Sequence, residues 1–144
     1  MEIRKLDEAE IKNAMKLVWE VFLEFEAPEY SKKGIQSFKS FINAENTPRA
    51  IEMYGAFADG TLVGVIATRS AGTHITLFFV DKKYQGQSIG RKLFETLIEN
   101  SVADEITVNS SPFAVNIYRR LGFEDTDTEQ TKDGIRYTPM RLKR

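Results

Sequence analysis

A chain of 144 residues with 42% hydrophobic content suits one compact domain with a core of its own. Its 20 Lys and Arg against 21 Asp and Glu leave a formal charge of −1, so nothing draws the whole molecule toward nucleic acid, and a polyanion contact has to be local. The absence of cysteine removes disulfides, thiolate metal sites and a cysteine nucleophile. The single histidine excludes a histidine-rich zinc centre, and without an apolar run of membrane or signal-peptide length the expectation is a cytoplasmic protein.

Residues 2–6 alternate like a short strand, and Asp7 can cap a helix on which Ile11, Met15, Val18, Phe22 and Phe25 recur at helical spacing, with Trp19 beside them. Core packing explains that stripe. Pro28 ends the helix among Glu24, Glu26 and Glu29, and Ser31 can cap a second helix presenting Ile35, Phe38 and Ile42. Residues 51–80 then change period. Runs at 51–58, 62–69 and 73–80, separated by Asp59-Gly60 and Ala71-Gly72, predict three antiparallel strands in a meander.

A glycine-bearing turn follows and opens a helix that buries Ile89, Leu93, Phe94, Leu97 and Ile98, after which residues 105–109 form a fifth strand, parallel to the fourth. Ser111-Pro112 starts another helix, Gly122 stops it, and Phe113, Ala114, Ile117, Tyr118 and Leu121 share one of its faces. Asp133-Gly134 joins a final hairpin of strands 124–131 and 135–142. The order β-α-α-β-β-β-α-β-α-β-β describes an α/β protein of the α+β kind. Its sheet is mixed but mostly antiparallel, with helices on both faces, in a single domain over residues 1–144.

The segment Tyr84-Gln85-Gly86-Gln87-Ser88-Ile89-Gly90-Arg91-Lys92-Leu93 says most about function. It lies between a hydrophobic strand and an amphipathic helix, where backbone N–H groups collect at a helix N-terminus, a geometry that binds phosphate. Lys82, Lys83, Arg91 and Lys92 surround it, with Asp81 the one acid nearby. An ordinary tight strand-to-helix connection is the competing reading of the turn taken alone.

Two motifs, in order and one strand apart, give the chain its resemblance to the GNAT superfamily of acetyl-CoA-dependent N-acetyltransferases. The first is the family's Q/R-x-x-G-x-G/A turn, here Gln85-Gly86-Gln87-Ser88-Ile89-Gly90, with Ser88 standing where the first glycine is usual. The second is a helix running into tyrosine and then Leu-Gly-Phe, here 114–123 with Tyr118 and Leu121-Gly122-Phe123. The resemblance covers essentially the whole chain. It implies acetyl-CoA as cosubstrate, its pyrophosphate held by the N–H groups of residues 86–91, with Arg91 or Lys92 near the nucleotide phosphates. It also implies that the fourth strand, around Phe78 to Val80, meets the pantetheine arm through its main chain where it parts from the fifth. Asn109 or Ser111 is a further CoA contact, although capping alone explains Ser111. Tyr118 is the family's usual proton donor to the departing thiolate, an aromatic anchor being its structural alternative, and an N–H near Val80 is the oxyanion donor.

The family often has a glutamate on the fourth strand as base, and this strand has no acid before Asp81. His74, on the alternating face shared with Thr76 and Phe78, is one candidate to relay a proton; a partly buried histidine bonded to a neighbouring strand is the other reading. Asp81, Glu24 and Glu26 are weaker candidates. The resemblance therefore implies an N-acetyltransferase acting on an amine of a small molecule or peptide by direct attack in a ternary complex. The alternative is a GNAT-fold module that binds CoA without chemistry. The acidic stretch 24–30 offers attraction for a cationic amine or a solvated helix end, and the final hairpin edge with Tyr137 offers a route to a homodimer.

Overall fold

The computed structural model describes residues 1–43 and 51–144. Along the chain run β1 (Glu2–Lys5), α1 (Glu8–Phe25), α2 (Lys32–Ile42), β2 (Glu52–Ala58), β3 (Thr61–Arg69) and β4 (His74–Val80). They are followed by α3 (Ile89–Asn100), β5 (Glu105–Ser110), α4 (Val115–Arg120), β6 (Glu124–Asp125), β7 (Gln130–Lys132) and β8 (Ile135–Lys143), with short 3-10 turns at Ala27–Glu29, Lys82–Tyr84 and Pro112–Ala114. The strands form one sheet in the order β1-β2-β3-β4-β5-β8-β6, with β7 paired to β8. Only β4 and β5 run parallel among these pairs, because α3 carries the chain back between them. No helix among the described residues is long and apolar enough to cross a membrane.

The expected helix on each face is present. On one side Val18, Phe22 and Ile42 of α1 and α2 pack with Met53, Val65, Leu77 and Phe79; on the other, Ile89, Leu93 and Leu97 of α3 and Tyr118 of α4 pack with Ile66, Ile75, Ile106 and Val108. Asp7 and Glu10 complete a capping box that fixes where α1 begins. Asp59 and Gly60 both have positive φ in the turn between β2 and β3, as a two-residue hairpin requires.

Two departures from the sequence-based expectation matter. The predicted strand 124–131 breaks into β6 and β7: the Asp127 carboxylate accepts from the Thr128 N–H at 2.7 Å and from Gln130 Nε2 at 3.0 Å, closing a local turn. Pro139, facing this break on β8, can accept from the Thr126 N–H at 2.8 Å but has no N–H to return. The edge beyond β8 therefore belongs to short β6 and β7, and the Tyr137 hydroxyl donates to Gln130 Oε1 at 3.2 Å within the hairpin.

The second departure concerns β4. Leu77 pairs with Ala67 but Ile75 with Thr68, leaving Thr76 as one extra residue in the strand, a β-bulge. An extra residue reverses the phase of alternation. Ile75 thereby packs on the α3 and α4 face together with Phe78, and His74 turns to the α1 and α2 face. His74 and Phe78 do not share a face.

Candidate active site

Pairing between β4 and β5 consists of His74 with Thr107 and Ile75 with Val108. Past the bulge the two strands part, while β5 continues its pairing with β8 as far as Ser110. The Asp81 N–H donates to the Val63 carbonyl at 2.8 Å, so the period-two rule turns the N–H groups of Phe79 toward β3 and those of Phe78 and Val80 toward the gap. A cavity of about 310 Å³ runs along this opening, lined by Phe78 and Val80 on one side, Phe113, Ile117 and Tyr118 on another, and the turn from Gln85 to Gly90 at its mouth.

That turn has the backbone an anion site requires. Gly86 has φ +79° and Ser88 φ +66°, so left-handed residues alternate just before α3, and the first intrahelical bond of the turn is from the Lys92 N–H to the Ser88 carbonyl at 3.0 Å. The N–H groups of Ile89, Gly90 and Arg91 at the helix start have no acceptor within the helix. Ser88 makes no side-chain cap bond. Gly90 lies where a Cβ would be 3.5 Å from the Phe78 ring, and Gly86 is open to solvent. Gln85 and Gln87 use their side chains to shape the loop: Gln85 Nε2 donates to the Val80 carbonyl at 3.0 Å and Gln87 Nε2 to the Lys83 carbonyl at 3.3 Å. Arg91 and Lys92 are exposed on the first turn of α3.

A second cavity, of about 370 Å³, opens on the other side of the parted strands, and Glu26, Phe78, Phe79, Ala114 and Tyr118 line both. Tyr118 is only 5% exposed, its ring 6.0 Å from that of Phe78 and 5.3 Å edge-on to that of Phe123. Its hydroxyl has no hydrogen-bond partner among the described residues and is not sealed from solvent. Burial, then the nearby Glu26 carboxylate, raises the phenol well above its ordinary range, so it stays protonated at neutral pH.

Among the described residues, Glu26, at the C-terminus of α1, is the acid that lines both cavities at this junction. Burial pushes its carboxyl up from 4.5 to about 7, against a hydrogen bond from Ser111 that favours the charged form. The other acids weighed from sequence are engaged elsewhere: Glu24 Oε1 accepts from Lys82 Nζ at 2.8 Å, and Asp81 caps the 3-10 turn by accepting the Lys83 N–H at 2.9 Å. The sequence does carry a sign of Glu26. It stands four residues beyond Phe22, continuing the buried stripe of α1 where another apolar residue is expected.

His74 lines the second cavity, with Nδ1 2.7 Å from the Thr107 hydroxyl on β5. Burial, then the charge of Arg69, lowers its pKa to about 4, so the ring is neutral at physiological pH. The bonded-histidine reading therefore describes its surroundings. Asn109 and Ser111 also face the second cavity rather than the first; the Ser111 hydroxyl accepts the Ala114 N–H at 3.3 Å as a cap.

The GNAT acetyltransferase domain model matches residues 26–144. Among solved structures, a GCN5-related N-acetyltransferase from Rhodopseudomonas palustris superposes with a TM-score of 0.84 at 18% identity, covering 99% of this chain and 94% of that one. PaiA N-acetyltransferase from Thermoplasma acidophilum, in complex with coenzyme A, gives 0.81 at 22% identity, covering 99% and 98%. Tetrahymena GCN5 gives 0.65 at 14% identity, covering 99% and 96%. No curated protein matches the sequence. A turn of free N–H groups leading into a slot between parted strands suits a thioester on a phosphorylated carrier, and the chain belongs to the GNAT acetyltransferase family, enzymes of acyl transfer with an acyl-CoA cosubstrate.

Proposed function

We propose that the protein transfers the acetyl group of acetyl-CoA to an amine of a small molecule or peptide by direct attack within a ternary complex. The observation that carries this reading is the parting of β4 and β5 past Ile75, with Glu26 and Tyr118 both at the junction of the two cavities it creates. The turn from Gly86 to Arg91 holds the pyrophosphate through main-chain N–H groups, with Arg91 and Lys92 beside the nucleotide phosphates. The pantetheine arm follows the gap-facing groups of Phe78 and Val80. The amine enters from the second cavity, past Asn109 and Ser111.

Glu26 takes the proton from the incoming ammonium, a task for which a carboxyl near 7 is poised at physiological pH. The free amine attacks the thioester carbonyl, forming the C–N bond. The Val80 N–H stabilises the oxyanion. As the C–S bond breaks, the phenol of Tyr118 gives its proton to the sulfur; the second proton of the attacking nitrogen passes to the phenolate, and Glu26 releases its proton to water. His74, neutral and bonded to Thr107, helps shape the acceptor cavity and has no place in the proton path.

Removing only the phenol oxygen tests the reading. Tyr118→Phe is expected to lower kcat by about 100-fold while the dissociation constant for acetyl-CoA stays within about twofold of the parent. Undiminished turnover in the variant, or no binding of acetyl-CoA by the parent at millimolar concentration, overturns it.

A further inference from the structure

The second cavity has a distinct chemical pattern. Its walls include the rings of Tyr30, Phe38, Phe41, Phe78 and Phe79. Its hydroxyls are largely committed within the protein: Ser37 donates to the Asp133 carbonyl at 2.9 Å, Thr76 to the Ala67 carbonyl at 3.3 Å and Ser110 to the Ser111 carbonyl at 2.9 Å. At the end nearest the thioester lies Glu26. At the far end Arg69 pairs with His74 across the β3–β4 ladder, so the two side chains share the face that looks into the cavity.

Arg69 forms no ion pair with a carboxylate among the described residues. Among the described residues it is the one cation lining the cavity, and neutral His74 beside it adds no competing charge. Asp133 reaches the rim from the tip of the β7–β8 turn, and Glu26 lies deep inside. His74 precedes Phe78 by four positions along β4, which at about 3.3 Å per residue, less the bulge, separates the backbone of the Arg69–His74 pair from that of Phe78 by roughly 10–13 Å. An aromatic body with a polar group at each end spans that distance. A polyamine places a second positive charge against Arg69.

We infer that the acceptor is an arylalkyl primary amine bearing an anionic group, a carboxylate, at the end remote from the nitrogen, read by Arg69 as the amine meets Glu26. The inference rests on the acyl-transfer reading of the junction. The amine nitrogen bonds to the acetyl carbon, its proton passes to Glu26, and the thiol leaves, whichever substituent occupies the far end.

Rates of acetyl transfer to para-(aminoethyl)benzoate, phenethylamine and diethylenetriamine, measured on the full chain and on Arg69→Gln and Arg69→Lys, test it. Thermal shifts with the same amines in the presence of CoA read binding without requiring turnover. The expected result is a kcat/KM for the benzoate about tenfold above that for phenethylamine, the size of one charge-assisted pair. Arg69→Gln reduces that advantage to about twofold or less, mainly through KM, and Arg69→Lys keeps part of it. Equal use of the two arylalkyl amines, a preference for the triamine, or a benzoate thermal shift unaffected by Arg69→Gln overturns the substrate class while leaving acyl transfer standing. No stabilisation by CoA and no transfer to any amine overturns both.

Discussion

Glu26→Gln is expected to separate stability from activity, because the surroundings that tune the carboxyl also penalise its charge. Holding a carboxyl at about 7 rather than 4.5 costs the folded state about 3 kcal/mol once it is ionised. The sign follows from the raised value. Below 4.5 the group is protonated folded or unfolded and no penalty exists; as pH rises from 4.5 to about 7 the unfolded chain ionises first and stability falls; above 7 the full penalty remains. Glutamine carries no charge, so at pH near 8 the variant is expected to melt about 5–10 °C above the parent, with the two converging near pH 4. Activity moves the other way. The kcat/KM of the parent rises with pH around a midpoint near 7, and the variant loses that limb together with about 100-fold or more in rate. His74→Gln is the control, expected to leave the limb in place because the His74 ring titrates near 4. Scanning calorimetry at several pH values and initial-rate profiles read both arms. A variant no more stable than the parent near pH 8, or one that keeps the rising limb, refutes the assignment of Glu26.

Ser88→Gly removes the Cβ from a residue at φ +66°. Relief of left-handed strain outweighs the extra freedom of glycine in the unfolded chain by roughly 0.5–1 kcal/mol, so the melting temperature rises by a few degrees and acetyl-CoA affinity is retained; a lower melting temperature contradicts this. Gly34→Ala has the opposite sign from an ordinary helix substitution, which gains nearly 1 kcal/mol. A Cβ there would be 2.6 Å from the Gly134 carbonyl carbon, where the β7–β8 turn rests on α2. The variant is expected to lose about 1–3 kcal/mol in chemical denaturation, and to weaken the amine KM through the displaced rim of the second cavity more than acetyl-CoA binding.

The element order, the hairpin turns and the glycine-bearing turn before α3 were legible because each has a local cause: a period, a cap or a positive φ. The bulge was not. His74 to Val80 reads as an unbroken β-rich run, and one extra residue leaves no mark in it, yet that residue reverses the face of His74. The break in 124–131 depends on Pro139 facing it across the hairpin, a pairing that sequence order alone does not set. Glu26 was visible as an acid on an apolar stripe, but its raised pKa arises from burial in the folded chain, at a cavity it shares with Ser111, Ala114 and Tyr118 from far along the sequence. What the sequence conceals here is chiefly long-range desolvation.

The parted strands also have a thermodynamic consequence that backbone measurements can read. A buried N–H left without a partner costs about 1–3 kcal/mol, so the gap-facing groups of Phe78 and Val80 must meet water in the free protein, whereas the N–H groups of Phe79 and Asp81 are held by β3. Hydrogen exchange is therefore expected to alternate along β4, fast at Phe78 and Val80 and slow at Phe79 and Asp81. Saturating acetyl-CoA should slow the first pair selectively, because the pantetheine amides replace water there, and by about the same factor at both. At a ligand concentration a hundred times the dissociation constant the global stabilisation of about 2.7 kcal/mol slows only amides that exchange through complete unfolding, which distinguishes it from this local effect. Uniform protection along β4, or none at Phe78 and Val80, means that the carrier does not lie in the gap, and the route from the glycine turn to Tyr118 then fails with it.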